Sequence, residues 1–206
     1  MRSGLLKKLV LTLLLLPAMI YLTRAGVADF LRLEPCAYLE AVQLGEVPLD
    51  PAGLASSRER LLLARSWDTG NPIIPEFLGQ IALMRTQLSG FSPRLQSIFL
   101  NEAIDDFQVA IRLRPNSAYL WAARMSAGSM MIAANERLER DDALVEHELS
   151  AIKFALRRAN ELGPWEPSVL QQMVKVGTLH YMELSPEERA IVDGAVAREK
   201  KLKIVT

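Results

Sequence analysis

The sequence is short of most things that mark a catalytic or cross-linked protein. It holds one cysteine, Cys36, among 206 residues, so no intramolecular disulfide can form and cysteine usage leaves the redox compartment open. That single thiol and two histidines, His147 and His180, are a poor basis for a zinc site, and no metal or cofactor is expected. Aromatic residues make up only 6%, and runs of β-branched and aromatic residues, which build strands, are almost missing. Charge of one sign is missing too: 24 basic residues face 24 acidic ones. Nucleic-acid binding, which draws on a basic field, is therefore not expected. There is no glycine-rich phosphate loop and no Gly-x-Ser-x-Gly.

What is present is apolar and helical in character. Half of the residues are hydrophobic, enough for a real core, and Leu, Ala, Met, Glu and Arg, all good helix formers, dominate. The fold class expected is all-α. The chain opens with Arg2, Lys7 and Lys8, then an apolar run from Leu9 to Leu22, then Arg24. Charge, apolar run and charge in that order make a targeting segment over residues 1–25. As a cleaved signal, it would have Pro17 breaking its helix and Thr23-Arg24-Ala25 as the small-x-small site. As an uncleaved anchor, the run is shorter than the roughly 20 residues that span a bilayer. Leu5 and Leu6 extend it, Lys7 and Lys8 can snorkel, and Tyr21 suits the interface. The anchor is the favoured reading. Either way the positive charges stay cytoplasmic and the main domain lies outside, in a single-pass, inner-membrane, periplasmic arrangement.

Residues 26–56 read as a connector, with Leu33-Glu34-Pro35 stopping the first helix and a short helix over Ala37–Leu44. Asp50-Pro51 caps and starts a helix to about Trp67. Residues 57–206 read as a domain of helical hairpins. Helices are expected from about Pro75 to Leu88, after Ser92-Pro93, from Ala118 to about Leu138, from Asp142 to Leu162, and over 167–182. A last one follows the capping box Ser185-Pro186-Glu187-Glu188 and ends in the basic residues Arg198, Lys200, Lys201 and Lys203. Ser89-Gly90-Phe91-Ser92-Pro93 ends the helix begun at Pro75, and Asp141-Asp142 reads as a helix start with favourable dipole charge. Leu95, Phe99, Ala103, Phe107, Ala110 and Ile111 share one helix face.

Two helix ends align. Ala103-x3-Phe107-x2-Ala110-x4-Pro115 and Ile152-x3-Leu156-x2-Ala159-x4-Pro164 are offset by 49 at every position, and Trp121 and Leu170 each follow six residues after the proline. A weaker copy ends at Pro72, with Ala64 and Trp67 before it and Leu78 after. This pattern resembles the second-helix signature of the tetratricopeptide repeat, although that family's period is about 34 residues and its Leu-Gly pair and Tyr are missing from the Trp121 unit. The resemblance implies a short right-handed solenoid of helical hairpins. It also implies a concave groove lined by the first helix of each hairpin. Gln80, Tyr119, Ser126, Gln171, Gln172 and Lys175 would be among the lining residues, with Glu76, Ala122, Ala123 and Ser129 beside them. Such a lining, neutral and hydrogen-bonding, would suit an extended protein segment or a glycan.

Chemistry is harder to find. Ser150-Ala-Ile-Lys153 matches Ser-x-x-Lys, but its companion motifs are missing and Ser150 falls in mid-helix. Glu146-His147-Glu148 reads as a solvated helix face, and His180 with Glu183 as an ordinary surface pair. Met125, Met130 and Met131 read as core filler. No catalytic residue is expected. The overall layout is similar to the small anchored helical-repeat proteins that accompany bacterial exopolysaccharide machinery, the VpsP-like type. That likeness implies a non-catalytic scaffold with a protein partner in an envelope or polysaccharide assembly complex. The alternative is a soluble periplasmic peptide- or glycan-binding module.

Overall fold

The computed structural model describes residues 2–88, 92–138 and 142–205, with side chains over 12–88, 92–138 and 142–202. Ser89-Gly90-Phe91 of the expected break, Asp141 of the expected helix start, and the side chain of Lys203 lie outside the described residues. Within them the chain is all-helical, with no strand. The elements are α1 (Arg2–Gln43), α2 (Pro51–Trp67), α3 (Ile73–Thr86), α4 (Pro93–Leu113), α5 (Ala118–Glu136), α6 (Asp142–Leu162), α7 (Pro167–Leu179), a 3-10 turn (Tyr181–Glu183) and α8 (Pro186–Val205). The chain divides into two compact units, residues 1–74 and 75–206.

In the first unit, α1 corrects the sequence reading. Neither Pro17 nor Pro35 ends it. An interior proline forfeits one backbone hydrogen bond and crowds the preceding turn, a cost of about 3 kcal/mol. At Pro35 that cost is offset by packing: Pro35 and Cys36 are buried beside Ala28 and Leu39, on the face that meets Leu54, Leu61 and Ala64 of α2. The true stop is Gly45, at φ +73°. Its N–H bonds the Val42 carbonyl at 3.1 Å, and the Glu46 N–H bonds the Ala41 carbonyl at 2.9 Å. This is a Schellman ending that needs a left-handed residue. Residues 26–56 thus hold the second half of α1, a turn and the start of α2. That start is as expected: the Asp50 carboxylate accepts from the Gly53 N–H at 2.7 Å, with Pro51 as first residue.

Two environments divide α1. From Leu13 to Leu22 its large apolar side chains are exposed, while Ala28 and Leu39 are fully buried. The change falls at Arg24, whose guanidinium donates to the carbonyls of Trp67 (2.9 Å) and Ser66 (3.1 Å). These are orphan acceptors at the C-terminus of α2, where a cation also meets the negative end of the helix dipole. Over Thr12–Gln43, α1 is long and apolar enough to cross a membrane.

In the second unit, α5 is the central helix. It packs against α4, α6 and α7, and α8 packs against α6 and α7. Neighbours on several sides explain its composition. Ala118, Ala122, Ala123, Ala127, Gly128 and Ser129 are small, so backbones approach closely, and Met125 and Met131 fill the remaining core. The α4 face is buried as its periodicity predicts at Phe99, Ala103, Phe107, Ala110 and Ile111, with Leu95 half-buried. The box before α8 also forms: the Ser185 N–H donates to Glu188 at 2.9 Å and the Glu188 N–H to the Ser185 hydroxyl at 3.3 Å. The Glu188 carboxylate additionally pairs with Arg157 of α6.

The aligned segments have matching local geometry. Helices α4 and α6 are both 21 residues long, and their first residues stand 49 apart. The turns after them repeat three backbone bonds at that offset. Arg114 to Ala110, Ser117 to Arg114 and Trp121 to Ser117 correspond to Gly163 to Ala159, Glu166 to Gly163 and Leu170 to Glu166. The same interval separates Gly79, Gly128 and Gly177, on α3, α5 and α7. A Cβ added at each would crowd a following helix: Phe107 at 2.9 Å, Glu148 at 3.0 Å and Val192 at 2.4 Å respectively.

Candidate functional site

The six residues expected to line a groove separate into two pairs and two exposed positions. On α3 and α5, Gln80 Nε2 donates to the Tyr119 hydroxyl at 3.1 Å, with Gln80 only 9% exposed. Burial pushes the Tyr119 phenol up to about 12, and the Glu76 carboxylate adds to the rise, so Tyr119 stays protonated at any ordinary pH. On α5 and α7, the Ser126 hydroxyl donates to Gln172 Oε1 at 2.9 Å. These bonds fasten neighbouring helices to one another. Lys175 and Gln171 are exposed on α7. Ala122 and Ala123, also expected in the groove, belong to the core instead, because α5 is enclosed by its neighbours.

A crevice of about 150 Å3 does open between α5 and α7, lined by Ser126, Ser129, Met130, Ala133, Lys175, Val176 and Leu179. Its walls are mainly aliphatic, with the exposed Leu179 and Met130 at its edges. The Ser129 hydroxyl is hydrogen-bonded at 2.9 Å to Nε2 of His180, the residue that ends α7. This corrects the surface reading of His180, which is 8% exposed. Burial holds its imidazole below the ordinary value, while Glu183 and Glu136 partly oppose that shift.

The second correction is at Glu148. Its neighbour His147 is exposed, but Glu148 turns inward to Arg124 of α5, at 3.0 and 3.3 Å. Gly128 makes room for this pair, since a Cβ there would stand 2.8 Å from Arg124 Nη1 and 3.0 Å from Glu148 Oε2. This buried guanidinium–carboxylate fork ties α5 to α6. The sequence carried one overlooked signal for it: an arginine amid the small and apolar residues of α5.

Possible chemistry stays dispersed. Ser150 is exposed in mid-α6, Lys153 is half-buried on the same helix, and His147 faces solvent. Among the described residues no group of three or more His, Cys, Asp or Glu side chains is placed to hold a metal ion. The crevice has mainly aliphatic walls with Lys175 at its side, and its two serine hydroxyls are bonded to Gln172 and His180. Comparison with protein-family models, curated proteins and solved structures returns no match.

Proposed function

We propose that this chain is a non-catalytic helical-repeat scaffold, or adaptor, anchored in a bacterial inner membrane with its main domain in the periplasm. The observation that carries the reading is α1. A solvent-facing helix with Leu13, Leu14, Leu15, Leu16, Met19, Ile20 and Leu22 all at least half exposed leaves a large apolar surface uncovered, and a bilayer covers such a surface. Lys7 and Lys8 on one side and Arg24 on the other give the segment its ends and its orientation. The repeat part of the reading draws support from the matched lengths of α4 and α6 and the matched turns that follow them. Assignment to an exopolysaccharide biosynthesis or export complex rests on similarity of layout to the VpsP-like accessory proteins.

The test is cell fractionation of the full chain with a C-terminal tag, together with mass spectrometry of its N-terminus. An intact N-terminus in carbonate-resistant membranes, and co-purification of envelope proteins in detergent, is the expected outcome. A soluble periplasmic protein beginning near Gly26 would overturn it in favour of a second reading, a free binding module for a neutral peptide or glycan. The observation favouring that reading is the α5–α7 crevice, where the exposed Lys175 stands beside aliphatic walls.

A further inference from the structure

The junction of α1 and α2 gathers a set of exposed aromatic and charged side chains. Tyr21 and Arg24 of α1, with Trp67, Asp68 and Thr69 at the end of α2, line one recess of about 180 Å3. Tyr21 is 66% exposed and Trp67 40% exposed. The two Arg24 bonds to the Ser66 and Trp67 carbonyls hold the end of α2 level with the point where the apolar stretch of α1 stops. Leu22 on α1 and Leu63 on α2 are also exposed, at 67% and 51%.

Tryptophan and tyrosine rings with one apolar body and one polar edge concentrate where hydrocarbon meets headgroup, and an arginine bordering an apolar stretch lies in the same zone. We propose that Tyr21, Arg24 and Trp67 form an interfacial collar, in which the C-terminal end of α2 rests in the headgroup region of the bilayer that α1 crosses. The inference depends on α1 crossing that bilayer and adds a second element, α2, to the membrane contact. The bilayer need not be acidic. The recess carries both Arg24 and Asp68, so opposite charges face the headgroups and a zwitterionic lipid satisfies both.

Three consequences set this contact apart from a helix that merely passes through. The indole of Trp67 sits at a shallow, fixed depth. Its depth is the same in zwitterionic and anionic bilayers. The Arg24 guanidinium, committed to α2, keeps that depth constant, so removing it lets the indole move away from the lipid.

The experiment uses the full chain reconstituted in phosphatidylcholine vesicles containing lipids brominated at defined positions along the acyl chain. Trp67 becomes the only indole in the Trp121→Phe/Trp165→Phe protein. In a second protein, with Trp67→Phe added, Tyr21→Trp supplies the reporter on α1. Strong quenching of Trp67 by bromine near the glycerol end, and weak quenching by bromine near the chain terminus, is expected. It should be unchanged when phosphatidylglycerol is added. Quenching of the Tyr21→Trp reporter with none at Trp67 overturns the collar and leaves the membrane crossing intact. No quenching of either reporter overturns both. Because Trp121 bonds the Pro115 carbonyl through its indole, its replacement can disturb the second unit. Trp67→Phe in the otherwise natural chain is therefore measured in parallel, where loss of the lipid-quenched fraction supports the collar and its retention refutes it.

Discussion

Arg124 and Glu148 close a two-pronged ion pair between α5 and α6, Nη1 to Oε2 at 3.0 Å and Nη2 to Oε1 at 3.3 Å, with side chains only 7% and 8% exposed. Removing one partner leaves a charge buried without its counterion, whereas removing both leaves an apolar contact. Glu148→Met or Arg124→Met alone should each cost about 3 kcal/mol. The double variant Arg124→Met/Glu148→Met should recover most of that loss. Denaturant midpoints across the four proteins check this, and additive losses would refute it.

His180 should make stability depend on pH near neutrality. Its imidazole in the fold titrates below the ordinary value of 6.5 because it is buried against Ser129. The unfolded chain therefore takes up its proton first as pH falls. The stabilisation is fully present above about 6.5, is lost as pH drops through 6.5 toward the folded value, and changes no further below that. Thermal unfolding between pH 7.5 and 5 should show the melting temperature falling, with a shallower slope for His180→Gln. An unchanged slope in that variant would refute the assignment.

Gly177 and Val192 form a contact with no room for a methyl group. A Cβ at Gly177 would lie 2.4 Å from Val192 Cγ2, so Gly177→Ala should cost about 1–3 kcal/mol through overpacking between α7 and α8. Adding Val192→Ala should relieve part of the penalty, although each substitution alone destabilises. Double-mutant unfolding measures the coupling directly.

Two glycines of α1 and its C-terminal turn should respond with opposite signs. Gly26 lies in the helix, where an added Cβ would meet nothing within 4 Å, so Gly26→Ala should stabilise by about 0.5–1 kcal/mol. Gly45 holds φ +73° just past the helix end, where alanine is strained, and Gly45→Ala should destabilise by about 1 kcal/mol. Circular-dichroism melts of both proteins in the same detergent check the pair. Equal signs would refute the account of where α1 ends.

Local chemistry was readable in the sequence where one short segment decides the outcome. Ser92-Pro93, Asp50-Pro51 and Ser185-x-x-Glu188 each carry their own cap, and the helices begin where those residues place them. Pro35 was misleading because its cost is local while its compensation, packing on α2, comes from residues further along the chain. Glu148 and His180 look like surface groups in the sequence because their burial depends on Arg124 and Ser129, which lie on another helix. The glycines at 79, 128 and 177 were visible but uninformative, since a glycine within a helical pattern looks like a weak position until its neighbour is known. Of the candidate groove residues, Gln80, Tyr119, Ser126 and Gln172 lie on the expected helices but spend their polar groups on one another.

The uninterrupted path of α1 from its apolar stretch to its seat on α2 makes it a screw with no joint. Each residue of an α-helix advances about 1.5 Å and turns about 100°. Inserting a single residue between Arg24 and Ala28 would therefore swing the Leu13–Leu22 stretch by more than a quarter of a revolution relative to α2, while moving it along the axis by little more than a bond length. The register of this helix thus encodes a compass bearing, and the facing of α2 relative to the Leu13–Leu22 stretch is set by the count of residues in α1.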